Sequence, residues 1–457
     1  MVDVAAIFKA YDVRGVVPDQ LDESVARATG TAFVEVLDVL ANGGAVVVGY
    51  DMRPSSPALA QAFAEGVAAT GADVILIGLA STDQLYFASG RLGLPGAMFT
   101  ASHNPAQYNG IKLCRAGAAP VGAESGLRDI ADLVAKALAE DAPARPITGS
   151  ITKQNLLPAY ADHLNDLVDL SKCRPLQVAV DAGNGMGGHT VPAVFAGLPI
   201  EIVPMYFELD GSFPNHEANP LDPKNLVDLQ AKVVEVGADL GLAFDGDADR
   251  CFVIDELGAP ISPSAVTGLV AVRELAKHPG SAVIHNLITS KAVPELIAEH
   301  GGRPIRARVG HSNIKQLMAE TDAVFGGEHS AHYYFRDFWR ADTGMLAALH
   351  VLAALGEQDQ PASELFREFE RYVASGEINS TVADQAAAVA EIERLYGGRE
   401  GVTVDHLDGL TIDGGDWWFN VRASNTEPLL RLNVEAADVA MMVALRDEVL
   451  AVIRRPA

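Results

Sequence analysis

Cysteine is scarce in this chain of 457 residues. Cys114, Cys173 and Cys251 stand far apart, odd in number and with no CxxC pair. That excludes a disulfide framework or a cysteine-built zinc site and suits a reducing cytoplasm. Positive charge is also short: 34 Lys and Arg face 60 Asp and Glu, a net charge of −26. A field of that sign repels nucleic acid and anionic membrane surfaces, so neither is an expected partner. It would repel a small anion too, unless Arg and Lys are gathered at particular turns. Long apolar runs are missing as well. No uncharged stretch reaches spanning length, and Met1 to Gly15, which carries Lys9 and Asp12, has no signal-peptide pattern.

What is present is a large apolar content, 49%, enough for several buried cores, and a length that predicts three or four domains. Ala45 to Gly49 reads as a buried strand, Pro57 to Ala69 as a helix, and Asp73 to Ile77 as the next strand. This alternation predicts parallel sheets covered on both faces. A strand–turn–helix pattern recurs at Val46 to Ala60, Val178 to Val194 and Ala282 to Glu299, as though opening three similar α/β domains. Breaks are expected at the Pro/Ala-rich Asp141 to Pro146, near Asp255 to Gly258, and near Tyr372 to Asn379. The last segment, with strand-like Trp417 to Val421 and Leu429 to Val434 and a helix from Val439, reads as a smaller α+β domain.

Five stretches carry candidate chemistry. Thr100-Ala101-Ser102-His103-Asn104-Pro105 follows the apolar Ala97 to Phe99. Pro105 pushes Asn104 out of the helical region, so Ser102 falls on a strand-to-loop turn. Its hydroxyl can be a nucleophile or phosphate carrier, or simply cap a turn. Asp245-Gly246-Asp247-Ala248-Asp249-Arg250 lies between the apolar Leu240 to Phe244 and Cys251 to Ile254. Three carboxylates in so tight a loop call for a cation, and oxygen ligands favour Mg²⁺ or Ca²⁺ over zinc. An EF-hand is disfavoured because Arg250 stands where its turn glycine belongs and the flanks are strands.

The third stretch, Asp181 to Gly188, matches GxGxxG at Gly183, Gly185 and Gly188, with Glu201 near the spacing of a ribose-binding acid. It offers a rival reading as a nicotinamide-dependent oxidoreductase. Against it, Glu201 begins the run Ile202 to Phe207 instead of following a strand; the bland alternative is a turn that lets a helix pack closely. The fourth, Gly326 to His332, sets Glu328, His329, Ser330 and His332 on a glycine-entered loop suited to sugar hydroxyls, or to an ordinary surface turn. The fifth, Arg422-Ala423-Ser424-Asn425-Thr426-Glu427-Pro428 with Arg431 after it, reads as a phosphate cradle, or as an exposed turn between strands.

Taken together and in this order, with Tyr11-Asp12-Val13-Arg14-Gly15 ahead of them, these stretches resemble the α-D-phosphohexomutase family, in particular its bacterial phosphomannomutase branch. The likeness spans essentially the whole chain. It implies three similar α/β domains and a smaller α+β fourth, heart-shaped around a central cleft. The implied domains are 1–146 with a phosphoserine loop, 147–256 with a metal loop, 257–372 with a sugar loop and 373–457 with a phosphate loop. The resemblance implies that Ser102 carries a phosphoryl group, and that one Mg²⁺ per active site is held by Asp245, Asp247, Asp249 and an oxygen on Ser102. Glu328 and Ser330 would bind sugar hydroxyls; Arg422, Ser424, Asn425 and Thr426 would hold the phosphate that is not reacting. Tyr11, Arg14, His103, Lys112, Arg250, His311 and His332 match cleft-lining positions.

The implied reaction interconverts mannose 6-phosphate and mannose 1-phosphate through a hexose 1,6-bisphosphate, with a bisphosphate as activator. Glucose or glucosamine phosphates are the alternatives within the family. Two departures stand out. Ile288 occupies a place where many members carry Lys or Arg for general-base work, with Lys291 three residues on, so His311 becomes a candidate base. Ala331 stands where the sugar loop often has Gly.

Overall fold

The computed structural model describes residues 2–140, 146–423 and 429–455, apart from the side chains of His311 and Ser312. Most of the expected linker, 141–145, and the predicted phosphate ligands Ser424, Asn425 and Thr426 lie outside the described residues. The chain forms two compact units, Met1–Ile261 with Ser330–Leu365, and Ser262–His329 with Phe366–Ala457.

The first unit contains two sheets of related design. In the first, the strands run in the order Val13–Val16, Tyr108–Cys114, Gly96–Phe99, Ala45–Tyr50, Asp73–Leu79, Ile151–Lys153. The last four are parallel, and Tyr108–Cys114 returns antiparallel beside Gly96–Phe99. The β-branched and apolar run Ala45–Tyr50 is almost wholly buried, as a central parallel strand must be. Helices Glu23–Val36, Ser56–Ala68 and Leu127–Glu140 surround a core built on Phe33, Phe63 and Phe99. Asp22 caps the first of these by accepting from Ser24 and Val25 N–H groups, and Pro57 opens the second.

In the second sheet the order is Pro260–Ile261, Cys251–Ile254, Leu240–Phe244, Leu176–Asp181, Ile200–Met205. Again parallel strands end in an antiparallel return, here Leu240–Phe244 to Cys251–Ile254. The predicted break at Asp255 to Gly258 is a tight turn closing a hairpin with Pro260–Ile261, so the sheet continues to Ile261.

The second unit repeats the parallel pattern with Arg303–Ala307, Ala282–Asn286 and Phe325–Gly327. Its other sheet is antiparallel throughout: Val373–Thr381, Leu429–Ala436, Trp417–Ala423, Leu410–Asp413, Thr403–Asp405. Helices Gln385–Tyr396 and Val439–Ile453 cover it around Phe419, Leu432 and Tyr396. The break expected near Tyr372 to Asn379 is mostly strand, bulged between Ala374 and Glu377.

The Ser102, Asp245 and Glu328 loops each leave the carboxyl end of a parallel strand, Gly96–Phe99, Leu240–Phe244 and Phe325–Gly327 respectively. Open α/β sheets build their ligand sites at this end, where the chain must turn and side chains are free of the core.

Candidate active site

Ser102 is 5% exposed and adopts φ 49, the left-handed conformation that L residues rarely hold. Three anchors keep it there. Its N–H donates to Thr100 Oγ1 at 2.9 Å, and its carbonyl accepts from Arg53 Nη2 at 2.9 Å. Across the loop, Gly246 packs so closely that a Cβ on it would meet the Ser102 carbonyl oxygen at 2.3 Å. Only glycine fits there, so the serine loop and the aspartate loop are locked together by their backbones.

This contact brings the hydroxyl to the carboxylates. Ser102 Oγ donates to Asp245 Oδ2 at 2.8 Å and lies 3.1 Å from His103 Nδ1. Because the serine proton is directed to Asp245, Nδ1 of His103 carries the proton of that second contact. Enclosure by the loops, then the guanidiniums of Arg250 and Arg14, depress the His103 pKa, so its imidazole is neutral near pH 7.

Asp245, Asp247 and Asp249 are each at most 1% exposed. Arg250 donates to Asp245 Oδ2 from Nε at 2.9 Å and Nη2 at 2.8 Å. Lys112 Nζ bridges Asp247 Oδ2 at 2.7 Å and Asp249 Oδ2 at 2.6 Å. Thr82 Oγ1 also donates to Asp247 Oδ2, at 2.5 Å. Three carboxylates thus face two cations, leaving one negative charge in excess. The protonation balance divides accordingly. Burial raises the Asp245 pKa despite Arg250, whereas Lys112 overcomes burial at Asp247 and holds it below the carboxylate range. Burial would lower the Lys112 pKa, but Asp247 and Asp249 raise it well above the usual value, so the ammonium stays charged.

The three side chains can direct oxygens to one point, all within 4.8 Å of one another. Two of their oxygens, Asp247 Oδ1 and Asp249 Oδ1, are buried with no hydrogen-bond donor among the described residues. Buried carboxylate oxygens are costly when unpaired, and a hard divalent cation is the partner that oxygen-only donors suit. The residues therefore fit a metal ion. His332 Nε2 stands 3.8 Å from Asp249 Oδ1 and its Nδ1 is 2.9 Å from Ser330 Oγ. Asp249, His332 and Asp342 form a second group of possible ligands that shares Asp249 with the first.

Arg14 reaches the same loop from the neighbouring strand. It donates to the Ala101 carbonyl at 2.8 Å and Asn104 Oδ1 at 2.6 Å, and pairs with Asp12. Tyr11, 37% exposed, lies on the preceding turn. The serine loop's main brace, however, is Arg53, which the sequence reading passed over. Fully buried, it donates to the carbonyls of Ser102, Asn104 (2.6 Å), Pro105 (2.9 Å) and Tyr108 (3.0 Å) and pairs with Asp51 at 3.3 Å. A signal was present: Asp51 and Arg53 are a charged pair directly after the buried strand Ala45–Tyr50.

The glycine stretch 183–188 is fully engaged by protein. A Cβ on Gly185 would lie 2.6 Å from the Gly246 carbonyl oxygen, and one on Gly188 2.2 Å from that of Phe207. Its glycines let helix Gly187–Val194 and the aspartate loop pack against the sheet; they do not line a dinucleotide cradle.

In the second unit, Glu328 is buried and its Oε1 accepts from the Gly310 N–H at 3.2 Å and Asn286 Nδ2 at 3.4 Å. His311 opens helix His311–Thr321. Ile288 is packed with Leu287, Val309 and Trp418. Lys291 is turned to Asp413 Oδ1 at 3.0 Å and the Gly415 carbonyl at 2.7 Å. Arg422 and Arg431 are cross-strand neighbours. Both approach Glu377, at 3.6 and 3.7 Å, and Arg422 also approaches Asp408 at 3.8 Å. In the first unit, Ala331 adopts φ 65 and is fully buried, holding with an alanine a conformation that glycine takes without strain.

Four family models match the chain: phosphoglucomutase/phosphomannomutase alpha/beta/alpha domain I over residues 5–140, domain II over 158–258, domain III over 263–372, and the C-terminal domain over 377–452. A phosphomannomutase of Salmonella montevideo is 41% identical over 97% of this chain and 98% of its own. Phosphohexose mutases of Xanthomonas campestris pv. campestris are 43% identical over 96% of this chain and 97% of theirs. The crystal structure of a phosphoglucomutase/phosphomannomutase family protein from Burkholderia thailandensis superimposes with a TM-score of 0.89 at 32% identity, covering 100% of this chain and 99% of that one.

Proposed function

The chain belongs to the phosphoglucomutase/phosphomannomutase family, and from the Ser102–Asp245 geometry we propose that it interconverts mannose 6-phosphate and mannose 1-phosphate through a phosphoserine at Ser102. That it is a phosphohexomutase, an isomerase, follows from its relatives. The observation that carries the proposal is a buried serine hydroxyl held 2.8 Å from one of three clustered carboxylates.

In this reading the resting enzyme carries phosphate on Ser102. Asp245, Asp247 and Asp249, with an oxygen on Ser102, would hold a magnesium ion, which when bound supplies positive charge beside the phosphoryl oxygens. The charge count favours it. The carboxylates and their two cations carry one excess negative charge, and a phosphoserine adds roughly −2 more.

The chain's own groups do the positioning. The Ser102 backbone fixes the phosphoryl group. Lys112 and Arg250 present fixed cations where charge spreads over the transferring oxygens. A free hydroxyl of the bound hexose phosphate attacks phosphorus in line. The bond from phosphorus to Ser102 Oγ breaks, a bond to the sugar oxygen forms, and the hydroxyl proton passes by way of a base to the departing serine oxygen, which regains its hydroxyl. His103 stands beside that departing oxygen with its Nδ1–H directed to Ser102 Oγ, and His311, which opens helix His311–Thr321, is the candidate base. The resulting 1,6-bisphosphate turns round and returns its other phosphate to Ser102, so no phosphate is consumed. Glu328 and Ser330 would read the sugar hydroxyls. Arg422, Arg431, Ser424, Asn425 and Thr426 would hold the phosphate that is not reacting, a task suited to guanidinium donors because either end of the sugar must be gripped.

The names of the relatives favour mannose. The test is a coupled assay of the purified protein with mannose 1-phosphate, glucose 1-phosphate and glucosamine 1-phosphate, each with trace hexose 1,6-bisphosphate. The highest kcat/KM is expected on mannose 1-phosphate. Higher values on either of the others would reassign the sugar but keep the mechanism; inactivity on all three would overturn it.

A further inference from the structure

We infer that Thr82 is a positioning residue for the metal loop, setting the Asp247 carboxylate in the orientation that leaves one oxygen free for a divalent cation. The inference rests on the metal-site reading above. Thr82 is fully buried, at the start of helix Thr82–Leu92. It makes two hydrogen bonds to one residue 165 positions away: its N–H donates to the Asp247 carbonyl at 3.0 Å, and its hydroxyl donates to Asp247 Oδ2 at 2.5 Å. The first fixes the Asp247 backbone and the second fixes its side-chain rotation. With Oδ2 held by Thr82 and Lys112, Oδ1 is turned inward, buried and without a donor among the described residues.

The helix start is itself held from several sides. Asp83, next in the chain and fully buried, accepts at Oδ2 from Tyr160 OH and from Thr343 Oγ1, both at 2.7 Å. Its Oδ1 accepts from Ser81 Oγ, and Ser81 also caps the helix by accepting from the Gln84 N–H. A hydroxyl on so constrained a turn has little freedom to follow a moving carboxylate. The carboxylate must adapt to it, which is how a group outside the coordination shell sets ligand geometry. Without the hydroxyl, Oδ2 is held by Lys112 alone. The carboxylate can then rotate toward the ammonium and the oxygen meant for the cation is lost.

The test is Mn²⁺ binding to the full chain, read as free Mn²⁺ by electron paramagnetic resonance, for wild type, Thr82→Val, Thr82→Ala and Thr82→Ser, with thermal unfolding of each. Wild type and Thr82→Ser should bind alike, while Thr82→Val and Thr82→Ala should each bind about ten- to a hundredfold more weakly, whatever their melting temperatures. The comparison of Thr82→Ser with Thr82→Ala isolates the hydroxyl if the valine variant does not fold. Wild-type affinity in the variants that lack the hydroxyl, or equal loss in Thr82→Ser and Thr82→Ala, would overturn the role of Thr82 while leaving the metal reading intact. No Mn²⁺ binding by wild type would overturn both.

Discussion

Ser102 Oγ donates to Asp245 Oδ2 at 2.8 Å across 143 residues of chain. That bond joins the two most chemically loaded loops of the protein, and Gly246, pressed on the Ser102 carbonyl, makes the junction tight. The hydroxyl is thereby fixed within the set of oxygens expected to hold the cation.

The first prediction follows from that set. Chelation of divalent cations should abolish turnover and added Mg²⁺ should restore it. Asp247→Asn removes one anionic ligand and should raise the Mg²⁺ concentration for half-maximal activity by about tenfold or more. Full activity in excess chelator would contradict the assignment.

Arg53→Lys should misplace the serine loop. A lysine has one donor centre and cannot serve four carbonyls held by a planar fork. Buried carbonyls left without donors predict a loss of about 2–4 kcal/mol in urea unfolding. A displaced nucleophile predicts a fall in kcat of about a hundredfold with KM less affected. Wild-type stability and kcat would show that the brace is dispensable.

Much of the site was legible in the sequence because its chemistry sits in short contiguous runs. Asp245 to Arg250 and the Ser102 stretch are polar segments abruptly bounded by apolar strands, and the structure gives both as turns at strand ends. Residues that act through space left no such mark. Arg53 and Thr82 look ordinary where they stand, and their importance lies in partners about 50 and 165 positions away. The glycines at 185 and 188 matched a dinucleotide pattern because a close backbone approach needs glycine whatever approaches, ligand or protein. The strand Val373–Thr381 reads as a break because it is a bulged edge strand containing Ser375, Gly376 and Glu377, too polar for a buried-strand pattern.

Arg422→Ala should raise KM for hexose monophosphates and release more bisphosphate from the enzyme. A charge-assisted phosphate contact is worth about 1.5–3 kcal/mol, or roughly ten- to a hundredfold in kcat/KM. Arg422 now lies near Glu377 and Asp408, so its charge is held in place before phosphate arrives. Unchanged kcat/KM would contradict the clamp.

His285 predicts acid sensitivity in the second unit. Burial lowers its pKa to about 4, against an ordinary value of about 6.5. Between those values the unfolded chain binds a proton that the folded chain does not, so stability is lost as pH falls. The expected loss is about 2 kcal/mol between pH 7.5 and pH 5 and about 3 kcal/mol below pH 4. Urea unfolding of wild type against His285→Gln should show a shallower pH dependence in the variant; parallel curves would refute it.

The central claim is that phosphate travels on Ser102, and intact-protein mass spectrometry tests it most directly. Wild type incubated with hexose 1,6-bisphosphate should gain a single phosphate that is lost on incubation with excess hexose monophosphate. Ser102→Ala should keep its fold, gain no phosphate and lose nearly all turnover. Phosphate on the alanine variant, or near-normal turnover by it, would contradict the account.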